Sequence, residues 1–170
     1  MSADWTAQAP AARWLARLAA AEARLGSLGR QGRRLGLTTP DPGGEERWQD
    51  AQVWAHLAEF PRYWTEQLQR VLNGPPPQPV PFGRTKSDPG RRAAVAAARP
   101  EEVGRYLSVM LVGCGRLRDL LSAIGDAGWE RRGVHPSLGE MDVGAILEEF
   151  LVGHLEEHAA QLETLAPEAP

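Results

Sequence analysis

Apolar residues in this chain recur at alternating spacings of three and four along four separate runs, and nowhere do they alternate by twos for more than a few residues. The first pattern lines one face of an α-helix, whereas the second would mark a half-buried strand, so the expectation is an all-α fold. The first run spans Ala11 to Leu35 and carries Trp14, Leu18, Ala21, Leu25, Leu28 and Leu35. The second spans Glu45 to Asn73, with Val53, Leu57, Phe60, Trp64, Leu68 and Val71 on one face and Pro61 as an interruption expected to kink it. The third, Pro100 to Ile124, opens with Pro100, Glu101 and Glu102, as a helix start should, and continues through Val103, Leu107, Met110, Cys114, Leu117, Leu121 and Ile124. The fourth, Glu140 to Leu165, carries Leu147, Leu151, Leu162 and Leu165.

Segments dense in Gly and Pro separate the runs. Gly36 to Gly44, with Pro40 and Pro42, ends the first helix. Gly74 to Gly90 can be neither helix nor interior strand, because its prolines lack donors and fix φ. Gly125 to Gly139 forms the third connection and contains Trp129, His135 and Pro136. Four helices joined by one long Pro-rich crossover, between helices two and three, and two shorter links make a four-helix bundle. No internal repeat is present, and 170 residues fit a single domain over 1–170.

A formal charge of −3 argues against a nucleic-acid partner, which calls for a basic surface. The one basic cluster, Arg30 to Arg34, sits at a helix end where cations complement the macrodipole. Met1 to Ala12 lacks the charged and apolar regions of a secretory signal, and no run approaches a membrane span, so the protein is expected in the cytoplasm with no membrane partner. The single cysteine, Cys114, cannot form an internal disulfide, which agrees with a reducing compartment. It lies inside an apolar stripe, with nothing nearby in sequence to lower its pKa, and reads as a core thiol.

The polar residues that break the apolar pattern are histidines. With Leu147 at zero on a helical wheel, His154 falls about 20° to one side of the stripe centre and His158 about 20° to the other. One turn apart on the same face, both imidazoles can reach one ion. Two rings stacked in an apolar interior need matched donors and acceptors, and two protonated rings would repel. A divalent cation meets both requirements; a core carboxylate or carbonyl for each ring is the competing explanation. His56, about 60° from the stripe centre of helix two as set by Val53, can supply a third donor from another helix. Three protein donors with positions left open are the pattern of a catalytic zinc site, although imidazole also suits nickel, iron or copper. His135, before a proline in the third connection, is the rival ligand, and a loop role at a pocket mouth suits it better.

The letters HLEEH from His154 to His158 match the inverted zinc-peptidase pattern, with Glu157 as its base. That architecture takes its third ligand from a later helix, for which too few residues follow His158. Glu157 therefore reads as a solvated acid or as an outer partner of a ligand. Trp48, Trp54 and Trp64, half of the six tryptophans, belong to or begin the His56 helix; core packing explains all three, and any one could wall a metal pocket.

WAHL in helix two, the proline-rich crossover and GVHPSLGEMDVGAILEEFLVGHLEEHAAQL together resemble the DinB/YfiT-like superfamily of metal-dependent bundles. His56 and the H-x-x-x-H of His154 and His158 correspond to that family's three metal-binding histidines. The resemblance implies an up-down-down-up bundle, often a homodimer, that binds zinc or nickel. Relatives such as mycothiol-dependent maleylpyruvate isomerase and bacillithiol transferases use the ion to activate a low-molecular-weight thiol, which implies a thiol S-transferase or isomerase acting on a small-molecule substrate. The alternative is a non-enzymatic bundle that binds metal or a small ligand in sensing or stress response.

Overall fold

The computed structural model describes residues 9–40 and 45–168. Four long helical segments carry the bundle: α1 (Ala9–Arg30), α2 (Asp50–Asn73) and, later in the chain, α4 (Val103–Ala123) and the pair α6 (Val143–Phe150) and α7 (Val152–Thr164). Between α2 and α4 lie the short helix α3 (Pro89–Ala96) and a 3-10 turn, Pro100–Glu102; α5 (Asp126–Trp129) follows α4. Among the described residues five short strands are also present: β1 (Arg34–Leu35), β2 (Val80–Pro81), β3 (Arg132–His135), β4 (Gly139–Asp142) and β5 (Ala166–Pro167).

The predicted apolar stripes form the core, except for Leu35, which lies beyond the first helix and is exposed. Leu18, Leu25, Val53, Leu57, Phe60, Leu68, Met110, Leu117, Leu121, Leu147 and Leu162 are fully buried. A leucine-sized side chain buried in this way contributes about 1.5–3 kcal/mol relative to exposure, so the shared core outweighs the local propensity of any one helix. Ion pairs stitch the rims: Arg17 spans Glu148 and Glu156, Arg24 pairs with Glu163, and Arg118 pairs with Glu22. Helix two runs unbroken through Pro61.

The helix limits differ from the sequence expectation where backbone groups are claimed elsewhere. Helix one ends at Arg30 rather than Leu35 because Arg34 and Leu35 pair antiparallel with Pro167 and Ala166. Part of the connection expected over Gly36 to Gly44, including Pro42, lies outside the described residues, as do Met1 to Gln8 of the N-terminal reading. Helix two begins at Asp50, where the Gln49 backbone N–H donates to Gln52 Oε1 at 2.9 Å. The crossover is ordered at both ends: Val80 and Pro81 pair parallel with Gly133 and Val134, and Asp88 caps α3 by accepting from the Arg91 N–H at 2.9 Å.

Helix four starts at Val143 instead of Glu140, since Gly139–Asp142 are taken up in a hairpin with Arg132–His135. Asp142 caps it by accepting from the Ala145 N–H at 2.7 Å. The helix also breaks at Leu151, whose φ of −128° and ψ of −91° lie outside the helical region. The break carries the Glu148 carbonyl against Gly153, where a Cβ would stand 2.1 Å from the oxygen. Glycine is the residue that admits so close a backbone approach.

Candidate metal centre

Helix α2 presents His56 and helix α7 presents His154 and His158 to the same point. His154 Nε2 lies 3.1 Å from His56 Nε2 and 3.1 Å from His158 Nε2. The three ligand atoms lie within 4.8 Å of one another and could hold a metal ion. Nitrogens bound tetrahedrally at zinc's usual 2.0–2.1 Å are about 3.3 Å apart, close to the spacing found.

The outer nitrogens decide what faces inward. His158 Nδ1 lies 2.7 Å from Gln161 Oε1, and His154 Nδ1 lies 3.4 Å from Glu157 Oε2. Each oxygen is an acceptor, so each Nδ1 carries the proton and each Nε2 turns a lone pair to the centre. Two neutral lone pairs 3.1 Å apart repel unless a proton or a metal ion lies between them. A proton is disfavoured at His158 and His56. Burial first, and the neighbouring histidines next, hold both rings well below the usual histidine value of 6.5. A divalent ion accepts all three lone pairs without that penalty, and the donor set fits it. Among the described residues, His56 Nδ1 is buried without a hydrogen-bond partner.

Aromatic rings close the inner side. Trp48 stacks on His158 with centroids 5.8 Å apart and meets His56 edge-on at 5.1 Å, while Phe60 lies 4.7 Å from His154. The outer side opens into a cavity of about 280 Å³, whose lining includes His56, His154, Trp64, Phe150, Glu149 and Glu157. His154 is the half-buried member of the three, with 23% of its side chain accessible, while His56 and His158 are buried. A continuous wheel would bury His154 and His158 equally; the break at Leu151 shifts the phase of α7 and leaves His154 at the cavity wall.

His135 is placed apart from this set. It ends β3 rather than lying in a loop, and its Nε2–H donates to the Arg84 carbonyl at 2.9 Å. Its Nδ1 accepts from the Ser137 and Leu138 backbone N–H groups at 3.4 and 3.3 Å. With both nitrogens engaged, the ring lines the cavity and fastens the crossover to the β3–β4 hairpin. Gly83, at φ +85°, admits it: a Cβ there would meet His135 Cδ2 at 2.6 Å. Trp54 serves the core and donates from Nε1 to Asp50 at 3.0 Å, whereas Trp48 and Trp64 face the centre and the cavity. Cys114 is fully buried, and burial pushes its thiol up to about 12. The wheel gave no signal for Glu149 or Phe150, nor for the crossover cations, because their place in the lining depends on the helix break and on the strand pairing of the crossover.

No family model matches the sequence, and no curated protein matches it. Among solved structures, YfiT from Bacillus subtilis superposes with a TM-score of 0.67 over 96% of this chain and 89% of its own length, at 20% sequence identity. The chain has the YfiT fold. YfiT is described as "a probable metal-dependent hydrolase with an unusual four-helix bundle topology". The four-helix bundle expected from the DinB/YfiT-like resemblance is thus found in the structure, with two small sheets among the described residues added to the expected helices. Among the described residues, no helix is long and apolar enough to cross a membrane.

Proposed function

We propose that this chain is a metal-dependent enzyme in which His56, His154 and His158 hold one divalent ion, zinc or nickel, and a low-molecular-weight thiol is transferred to a small electrophile. The observation that carries the reading is the approach of His154 Nε2 to within 3.1 Å of both His56 Nε2 and His158 Nε2, with His56 and His154 in the lining of an open cavity. Such an ion, when bound, supplies Lewis acidity and lowers the pKa of a thiol or water placed beside it. The protein's own groups do the rest. Gln161 and Glu157 fix the ring orientation and tautomer of His158 and His154. Trp48 and Phe60 keep water from the inner side, so that exchange takes place through the cavity.

Hydrolysis by the same centre is the second reading. It is favoured by the carboxylates of Glu149 and Glu157 in the lining, either of which could take a proton from an attacking water, and by the description of YfiT. A non-enzymatic binding role predicts ligand affinity without turnover. The reading extends to a single domain over 1–170, an up-down-down-up helix order and a cytoplasmic homodimer, the last tested by size-exclusion chromatography with light scattering.

Elemental analysis of the purified protein should find about one equivalent of metal, lost in His154→Ala. The metal-loaded protein should consume an electrophile such as a maleyl or chlorodinitrophenyl compound only with a small thiol present. Unchanged metal content in His154→Ala would place the ion elsewhere. Turnover of esters or amides without thiol would select hydrolysis.

A further inference from the structure

Part of the cavity wall is built from the crossover, whose run RTKSDPGRR brings Arg84, Lys86 and Arg91 into one lining. The two guanidiniums are each held by a ring and by carboxylate or carbonyl oxygens. Arg84 lies over Tyr63 at 3.9 Å, with Nη2 on both Glu59 oxygens at 2.6 Å and Nη1 on Asp88 at 3.2 Å. Arg91 lies over Trp48 at 5.2 Å, with Nη2 on Glu46 and Nη1 on the Lys86 carbonyl, both at 2.9 Å. Their side chains are only 11% and 8% exposed, yet both line the cavity, whereas Glu46, Glu59 and Asp88 do not. Neither Nε has a hydrogen-bond partner among the described residues, and neither is sealed from solvent.

Fixed, partly desolvated guanidiniums bind a planar anion without a large ordering cost, and their N–H edges suit a carboxylate. In the same lining, Phe150 stacks on Trp64 with centroids 4.0 Å apart and offers a flat apolar surface, and the exposed Leu138 adds to the apolar part. Glu149 and Glu157 in the same lining make a dianion costlier than a monoanion.

We propose that the cavity takes a small monocarboxylate whose charged end is held by Arg84 and Arg91 and whose flat apolar body lies on Phe150. This names the substrate class of the centre proposed above and rests on that reading for its chemistry, though not for its binding.

Isothermal titration of the metal-loaded protein with 3-phenylpropionate and with its neutral isostere 3-phenylpropanamide tests the charged end directly. The carboxylate is expected to bind at least about tenfold tighter. That advantage should persist after chelation of the metal, fall toward parity in Arg91→Met, and be intermediate in Arg91→Lys, which keeps the charge but loses the fork. Equal affinities in the unaltered protein overturn the proposal whether or not the variants fold. Tighter binding of phenyl phosphate than of the carboxylate overturns the monoanion class. An advantage that vanishes on chelation and survives in Arg91→Met assigns the carboxylate to the metal, which overturns the arginine site and leaves the metal centre standing. An advantage that persists in a protein unable to bind metal supports the arginine site while removing the metal reading.

Discussion

His56 and His158 are kept neutral by the core that surrounds them, and this makes stability depend on pH in a definite direction. Both rings titrate well below 6.5 in the folded protein, through desolvation first and the adjoining histidines second. As pH falls through 6.5, the unfolded chain takes up protons that the folded chain refuses. The metal-free protein should therefore be stable to a constant degree above that value and lose stability below it. The slope approaches about 1.4 kcal/mol per pH unit for each ring. Urea denaturation of chelated protein from pH 8 to pH 5 measures this, and a flat profile would mean that the rings are solvated. His158 could be located from the sequence because a polar residue on an apolar stripe contradicts its surroundings, and His56 because it borders such a stripe on another helix. Glu149 could not, since a solvent-facing acid on a helix contradicts nothing until the cavity beside it is known.

At the level of the element, the decisive departure from regularity is the junction of α6 and α7. Gly153→Ala would drive a methyl group to 2.1 Å from the Glu148 carbonyl, a clash with backbone rather than with a movable side chain. A loss of about 1–3 kcal/mol is expected, and a forced realignment of α7 would move His154 and His158 together. Chemical denaturation and metal content should fall in parallel; a variant as stable as its parent with full metal content would show that the junction is adaptable. The sequence holds the stripe of this helix clearly but not its break, because Leu151 is an ordinary helix former and one irregular residue leaves the apolar spacing readable on both sides. The small strands were invisible for a related reason. Two residues at Val80–Pro81 are too few to show a period, and their partners at Gly133–Val134 lie far along the chain.

Across the whole molecule, an ion on His56, His154 and His158 would bind the folded state and not the unfolded one. At a free concentration one hundred times its dissociation constant it adds about 2.7 kcal/mol. For a domain of this size that amounts to roughly 5–11 °C in melting temperature. Scanning calorimetry with and without chelator should show the shift, and His154→Ala should abolish it; an unchanged melting point in the unaltered protein would argue against a site that depends on folding. The bundle was legible at this scale because Trp14, Leu57, Met110 and Leu147 each belong to a stripe that must be covered by the others.

His56 and His154 stand 98 residues apart in sequence, and their convergence has a consequence for synthesis. A nascent chain exposes the first imidazole long before the last helix leaves the ribosome, so the early bundle must assemble around a gap in its donor set. An ion that needs all three donors would find its site complete only once α7 has joined α2, so its binding would close maturation rather than begin it.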